Sequence, residues 1–225
     1  MLIPSIDLMG GRVVQLAQGE HVMITSEDID GWAEKFSLFP VVQVIDLDAA
    51  LGRGSNDAIV RRLCATLPCQ VGGGVRTVER AVGLMGAGAR RVIMGSALFT
   101  ATAVDTEAAT RFAAAIPASR LIAAVDSRGA RVVIHGWKTT LAVTPEEAVR
   151  ALEPYVGAFL YTHVDTEGLM EGIDMVAVRS VAAATTRRII AAGGVRSHAD
   201  VDALDQLGID AVVGMALYTG EMRIG

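Results

Sequence analysis

The chain repeats itself at an offset of about half its length, and no other feature narrows its fold as far. Asp7-Leu8-Met9-Gly10-Gly11-Arg12-Val13-Val14 and Asp126-Ser127-Arg128-Gly129-Ala130-Arg131-Val132-Val133 share the pattern D-x-x-G-x-R-V-V, each after a short apolar run. Gly73-Gly74-Val75-Arg76-Thr77 returns as Gly193-Gly194-Val195-Arg196-Ser197, and Gly95-Ser96-Ala97-Leu98-Phe99-Thr100 returns as Gly214-Met215-Ala216-Leu217-Tyr218-Thr219. Between these blocks Val44-Ile45-Asp46-Leu47-Asp48 takes the place of Thr162-His163-Val164-Asp165. Matches in the same order point to one unit used twice, over residues 1–120 and 121–225, inside a single domain spanning 1–225.

Each half reads as four strand–helix pairs. Short apolar runs rich in β-branched residues predict strands at about 2–6, 41–46, 69–71 and 91–94, then 121–125, 158–162, 189–192 and 211–213. Helical patterns alternate with them: Ile29, Trp32, Ala33 and Phe36 share one face, and Thr144-Pro145-Glu146-Glu147 forms a capping box with proline at the first helical position. Alternating elements imply the α/β class with a parallel sheet. Eight strands made of two similar fours close into a (β/α)8 barrel built from two half-barrels. A doubly wound open sheet is the competing architecture, but it predicts no two-fold repeat. Only eleven residues follow Gly214, so the last outer helix is expected to be truncated. An open apolar seam between strands eight and one would follow, and with it a monomer or a weak homodimer.

The composition excludes several classes. With 225 residues, 52% of them hydrophobic and 20% charged, the chain can bury a core without disulfides or metals. A net charge of −5 without basic runs argues against nucleic acid as a partner. No apolar run approaches the roughly 20 residues of a membrane span, and the start, Met1-Leu2-Ile3-Pro4-Ser5-Ile6-Asp7, lacks the basic region of a signal peptide. Two cysteines, Cys64 and Cys69, make no disulfide framework and have no metal-ligand spacing to a histidine pair. These features lead us to expect a cytoplasmic protein with no membrane partner and no metal site.

In a (β/α)8 barrel chemistry gathers at the C-terminal ends of the strands. Asp7 follows predicted strand one and Asp126 predicted strand five, on opposite walls of one cavity. Such a pair suits proton abstraction on one side of a substrate and donation on the other. A single aspartate there would read more simply as a turn cap, but the matched positions favour the catalytic reading. Gly73-Gly74 and Gly193-Gly194 follow strands three and seven, and Gly95-Ser96 and Gly214-Met215 follow strands four and eight, each ahead of helical sequence. Glycine lets a backbone approach an anion closely, and helix starts present N–H groups to it. Tight turns alone would explain any one of these glycines; four at equivalent places suggest two phosphate sites. The expected ligand is a small molecule phosphorylated at both ends, with an acid–base-sensitive centre.

Four segments carry a family resemblance: Ile3-Pro4-Ser5-Ile6-Asp7-Leu8, Gln70-Val71-Gly72-Gly73-Gly74-Val75-Arg76, Val125-Asp126 with Gly136-Trp137 downstream, and Ala192-Gly193-Gly194-Val195. Together they resemble the phosphoribosylformimino-aminoimidazole carboxamide ribotide (ProFAR) isomerase family of histidine biosynthesis, along essentially the whole chain. The resemblance implies an Amadori rearrangement of an aminoaldose to an aminoketose on a bisphosphorylated substrate, without a cofactor. It implies that Asp7 takes the proton from C2 of the opened sugar and that Asp126 protonates the ring oxygen. It also offers Glu167 as a second candidate acid and Thr162 as a group orienting the substrate or an aspartate. Arg76 and Trp137 match substrate-contacting positions, with a plain barrel-covering role open for Trp137. The chain departs from the family pattern at Gln15, where a cation is usual, at His163, where an aspartate is usual, and in a shortened first loop around Gln18-Gly19-Glu20-His21. Two alternatives accompany this reading: a dual-substrate isomerase that also acts on phosphoribosyl anthranilate, and a non-catalytic barrel that binds phosphoribosyl ligands.

Overall fold

The computed structural model describes residues 1–19 and 21–224. Eight parallel strands form its centre: β1 (Leu2–Met9), β2 (Val42–Asp46), β3 (Cys69–Gly72), β4 (Arg91–Met94), β5 (Leu121–Arg128), β6 (Ala158–His163), β7 (Arg188–Ala192) and β8 (Asp210–Val213). Each pairs with the next, and β8 returns to β1 through Leu2↔Ala211, Ile3↔Val212 and Pro4↔Val213, so the sheet closes into a barrel. The helices α1 (Ile29–Phe36), α2 (Asp57–Thr66), α3 (Val78–Gly86), α4 (Thr106–Ala115), α5 (Pro145–Leu152), α6 (Met175–Ala182), α7 (His198–Asp205) and α8 (Met215–Tyr218) each follow the strand of the same number. This is the (β/α)8 architecture expected from the alternating pattern.

Local chemistry sets the helix starts. At α5 the Thr144 hydroxyl accepts from the Glu147 N–H (3.2 Å) and the Glu147 carboxylate accepts from the Thr144 N–H (2.8 Å), closing the capping box. Asp28, Asp105, Asp174, Thr77 and Ser197 cap α1, α4, α6, α3 and α7 in the same way, side chain to backbone N–H.

Alternation along the strands divides the apolar residues into two cores. Ile3, Ile93, Ile122, Leu160, Ile190 and Val212 fill the barrel interior. Ile6, Leu8, Val44, Phe159, Tyr161 and Val213 point outward and pack under the helices. Ser5, Asp7, Gln43, Gln70, Asp126 and Thr162 bring polar groups to other inward positions, and these shape the site.

β1 and β5 run further than their apolar segments suggest. Each extends to eight residues and folds back as a hairpin, Asp7 pairing with Val14 and Asp126 with Val133 in the same register. The D-x-x-G-x-R-V-V motif is therefore a strand, a turn and a returning strand. Asp7 and Asp126 lie within their strands, not after them, because the Val-Val pair supplies a partner that keeps the backbone extended. The two turns are held alike: the Gly10 N–H donates to the Asp48 carboxylate (2.6 Å) and the Gly129 N–H to that of Asp165 (3.0 Å).

The last helix is short, as expected, at four residues. The open seam expected beside it is not found. The outward residues Ile6 and Leu8 of β1 and Ala211 and Val213 of β8 are all 0% exposed. Tyr218 packs at a tilt against Trp32, with 4.1 Å between ring centroids, and edges onto Phe36, and Met222 is buried in the same core. Aromatic bulk from α1 and the chain end replaces the missing helix turns. Among the described residues no helix is long and apolar enough to cross a membrane.

Candidate active site

A cavity of about 730 Å³ opens at the C-terminal ends of the strands, a size suited to a small-molecule ligand. All the candidate catalytic and substrate-binding residues named from the sequence line it. Asp7 and Asp126 face it from β1 and β5, Thr162 from β6, and Glu167 from the loop after β6. Gly73, Gly74 and Arg76 border it after β3, Gly95 and Ser96 after β4, Trp137 after β5, Gly193 and Gly194 after β7, and Gly214 and Met215 after β8.

The glycine turns come in matched backbone pairs. Gly73 and Gly193 have φ of 95° and 96°. Gly95 and Gly214 share φ near −110° with ψ of −104° and −96°. A Cβ on Gly73 would stand 2.1 Å from the Asp46 carbonyl oxygen, and one on Gly193 would stand 2.6 Å from that of His163. Each turn is thus pressed against the loop of the preceding strand, and only glycine fits. The turns at Gly95 and Gly214 lead into the short helical segments Ser96–Leu98 and Met215–Tyr218, whose first N–H groups have no intrahelical acceptors.

The two matched aspartates have different surroundings. The Ser5 hydroxyl donates to Asp7 Oδ1 at 2.7 Å. Burial pushes the Asp7 carboxyl up to about 6, with the Ser5 bond opposing the rise. The Trp137 indole N–H donates to Asp126 Oδ2 at 2.8 Å. Burial raises Asp126 too, against the bonds from Trp137 and Thr162. Glu167 is pushed highest, to about 8, by burial first and then by the negative charges of Asp7 and Asp126. Three carboxyl groups therefore share one cavity, all raised, with Glu167 held above Asp7, the arrangement expected of paired acid and base groups. Among the described residues no cluster of three or more His, Cys, Asp or Glu side chains could hold a metal ion.

Loops after β1, β5 and β6 are laced together over the mouth. The Gln18 N–H donates to the Glu167 carbonyl (3.0 Å), and a Cβ on Gly168 would strike the Leu16 carbonyl at 2.4 Å. Gly19 lies flat on the Trp137 ring, where a Cβ would come within 2.6 Å of Cζ3. Trp137, Gly136 and His135 all have positive φ, so this loop is bent sharply to bring the indole inward. Glu20, part of the first loop marked as shortened, falls outside the described residues.

Some roles differ in detail from the sequence reading. Arg76 reaches back to the carbonyls of Ala49 and Ala50 (2.9 and 2.6 Å), tying down the short helix Leu47–Leu51 while it borders the cavity. Ser96 accepts a bond from the His135 N–H at 2.9 Å. Gln15 is buried, its carboxamide oxygen pressed on Gly214. His163 does not line the cavity; its ring lies beside Asp165 and Asp174 at 3.6 and 3.8 Å. Sequence reasoning missed Arg53, His135 and Lys138, all on the cavity wall. They carry no repeat partner that would have marked them.

Comparison with known proteins agrees with this geometry. A family model described as "Histidine biosynthesis protein" matches residues 1–223. The chain is 40% identical over 227 residues to a protein of Gemmatimonas aurantiaca, covering 97% of this chain and 93% of that one. It is 35% identical over 231 residues to a protein of Thermus thermophilus, covering 99% and 96%. It is 34% identical over 233 residues to one of Methanocaldococcus jannaschii, covering 98% and 94%. All three are named 1-(5-phosphoribosyl)-5-((5-phosphoribosylamino)methylideneamino) imidazole-4-carboxamide isomerase. A match along nearly the whole length, on a closed barrel with carboxylates gathered at its mouth, means that this chain belongs to the histidine biosynthesis protein family.

Proposed function

We propose that the protein is a ProFAR isomerase, catalysing the aldose-to-ketose rearrangement that its relatives are named for. The observation that carries this reading is the pair Asp7 and Asp126 at equivalent inward positions of β1 and β5, with Glu167 beside them in the same cavity. An Amadori rearrangement needs a proton delivered to the ring oxygen as the sugar opens, and a proton removed from C2 of the resulting iminium. The iminium acidifies C2, so a carboxylate with a moderately raised proton affinity is base enough.

Near neutral pH, Asp7 at about 6 is ionised and fits the base, while Glu167 at about 8 keeps its proton and fits a donor. Asp126, aimed by Trp137 and Thr162, is the acid matched by resemblance, and Glu167 stands ready to supply or replace its proton. Removal of the C2 proton leaves an enaminol; its C2 hydroxyl becomes the carbonyl as C1 is protonated, giving the aminoketose.

The matched glycine turns support two phosphate sites, and the relatives' name describes a substrate with two phosphoribosyl groups. The equal dihedrals of these turns and the equal hairpin registers support residues 1–120 and 121–225 as copies of one ancestral half. The names of the three relatives give no support to a second substrate, phosphoribosyl anthranilate. Buried free thiols at Cys64 and Cys69 fit a reducing cytoplasmic location, and the covered seam favours the monomer over the weak homodimer.

The test is purified protein with ProFAR, followed by the substrate's absorbance change. Asp7→Asn is expected to cost about a thousandfold or more in kcat with binding retained by calorimetry. Wild-type protein without turnover, or an Asp7→Asn variant as active as wild type, would end the reading.

A further inference from the structure

Below the cavity a row of polar side chains crosses the barrel interior, and the reaction as described does not use it. Ser5, Gln43, Gln70 and Arg91 are Cα partners across the neighbouring strands β1, β2, β3 and β4. The first three are 4%, 5% and 0% exposed. Arg91 Nη2 donates to Gln70 Oε1 at 2.8 Å, and Gln70 Nε2 donates to Gln43 Oε1 at 2.9 Å. Gln43 Nε2 donates to Ser5 Oγ at 3.5 Å, and Ser5 Oγ donates to Asp7 Oδ1 at 2.7 Å. Every link has its donor on the Arg91 side and its acceptor on the Asp7 side. Bonds aligned in one sense polarise one another, so a cation at one end favours an anion at the other.

The second half of the barrel supplies an internal control. In the same registers, Ala124, Leu160, Ile190 and Asp210 stand where the first half has Ser5, Gln43, Gln70 and Arg91. The row below Asp126 is therefore apolar until its last member. Leu160 and Ile190 show that the barrel interior at this level accepts hydrocarbon, the simpler way to fill it. Two buried carboxamides in the other half cost desolvation that hydrocarbon would avoid, and they are satisfied only through this row.

We propose that Gln43 and Gln70 are positioning residues for Asp7. With Ser5 they form a one-way hydrogen-bond relay from Arg91 that holds Asp7 ionised and fixes its Oδ1, leaving Oδ2 for the substrate. The relay makes Asp7, of the two matched aspartates, the base. This rests on the reading of Asp7 as the base given above. Asp126 and Glu167 share the cavity with Asp7, Glu167 protonated near neutral pH, and the Tyr218 hydroxyl, neutral, bonds the Ser5 carbonyl at 3.0 Å. Arg53, Arg76, His135 and Lys138 line the wider cavity from the loops. The relay's last bond opposes the rise that burial gives Asp7, while burial and the charges of Asp7 and Asp126 keep the proton on Glu167.

The experiment compares pH profiles of kcat and KM for wild type, Asp7→Asn, Ser5→Ala and the double variant Gln43→Leu with Gln70→Ile, which installs the residue types of the second half. Thermal unfolding of each is recorded alongside. Ser5→Ala and the double variant are both expected to move the acid limb of kcat/KM upward by about one pH unit. On the acid side kcat should fall about tenfold, and KM should stay within about twofold. Should the double variant not fold, the single variants Gln43→Leu and Gln70→Ile are read in its place, and an acid limb unmoved in both overturns the relay. An inactive Asp7→Asn together with an unmoved acid limb in Ser5→Ala overturns the relay and leaves Asp7 as base. A drop in kcat without movement of the limb likewise overturns it, in favour of a purely structural row. An active Asp7→Asn overturns the reading of the base itself.

Discussion

Glu167→Gln should make the protein more stable as it makes the enzyme worse. Burial and the charges of Asp7 and Asp126 raise the Glu167 carboxyl from 4.5 to about 8. The folded state thus binds this proton more tightly than the unfolded chain does. Stability from that proton is fully present below the unfolded value and is lost as pH rises through the folded one. Each pH unit in that window costs about 1.4 kcal/mol, or about 4 kcal/mol between pH 5 and 8. The cavity admits water, which screens the charges, so about 2 kcal/mol is a sounder expectation. For a chain of this size that corresponds to roughly 4–8 °C in Tm. Glutamine keeps the shape of the neutral acid and cannot ionise. The Tm of wild type should therefore fall between pH 5 and 8 more steeply than that of Glu167→Gln, and the variant should be the more stable at pH 8. Calorimetry across that range is the assay. Parallel curves for the two proteins would refute the claim that Glu167 is held protonated by its surroundings.

Two further outcomes follow from the geometry. Trp137→Phe removes the indole donor to Asp126, whose carboxyl should then rise further; the limb of the pH profile that depends on Asp126 should move up by about one pH unit, and an unmoved profile would count against the contact. Gly73→Ala would place a Cβ 2.1 Å from a backbone oxygen at φ of 95°, whereas Gly83→Ala, inside α3, meets nothing within 4 Å. Urea denaturation should show a loss above about 2 kcal/mol for the first and a gain of about 0.5–1 kcal/mol for the second.

Much of the architecture was legible in the chain because repetition is a property of sequence. The offset between the two D-x-x-G-x-R-V-V motifs pairs Asp7 with Asp126, and the same pairing recurs in the barrel registers. Strand ends were less legible. Asp7 reads as a loop residue because apolarity stops at Ile6, yet a returning Val13-Val14 extends the strand past it. Pairing partners far along the chain decide where a strand stops, and periodicity does not report them. The seam beside β8 was misjudged for a related reason: Trp32, Phe36 and Tyr218 lie far apart in sequence and meet only when the barrel closes.

Residue types and their order were enough to name the barrel and to point to an internal repeat and to the carboxyl groups that line its mouth, since these depend on pattern and local preference. Division of labour among those carboxyls was not written there. Asp7 and Asp126 are the same residue in the same motif, and what separates them is a serine at 2.7 Å on one and an indole at 2.8 Å on the other. Glu167 holds its proton because it is buried and because two other charges share its cavity. Proton affinity follows burial and distance between charges, and both exist only once strands from opposite ends of the chain stand side by side.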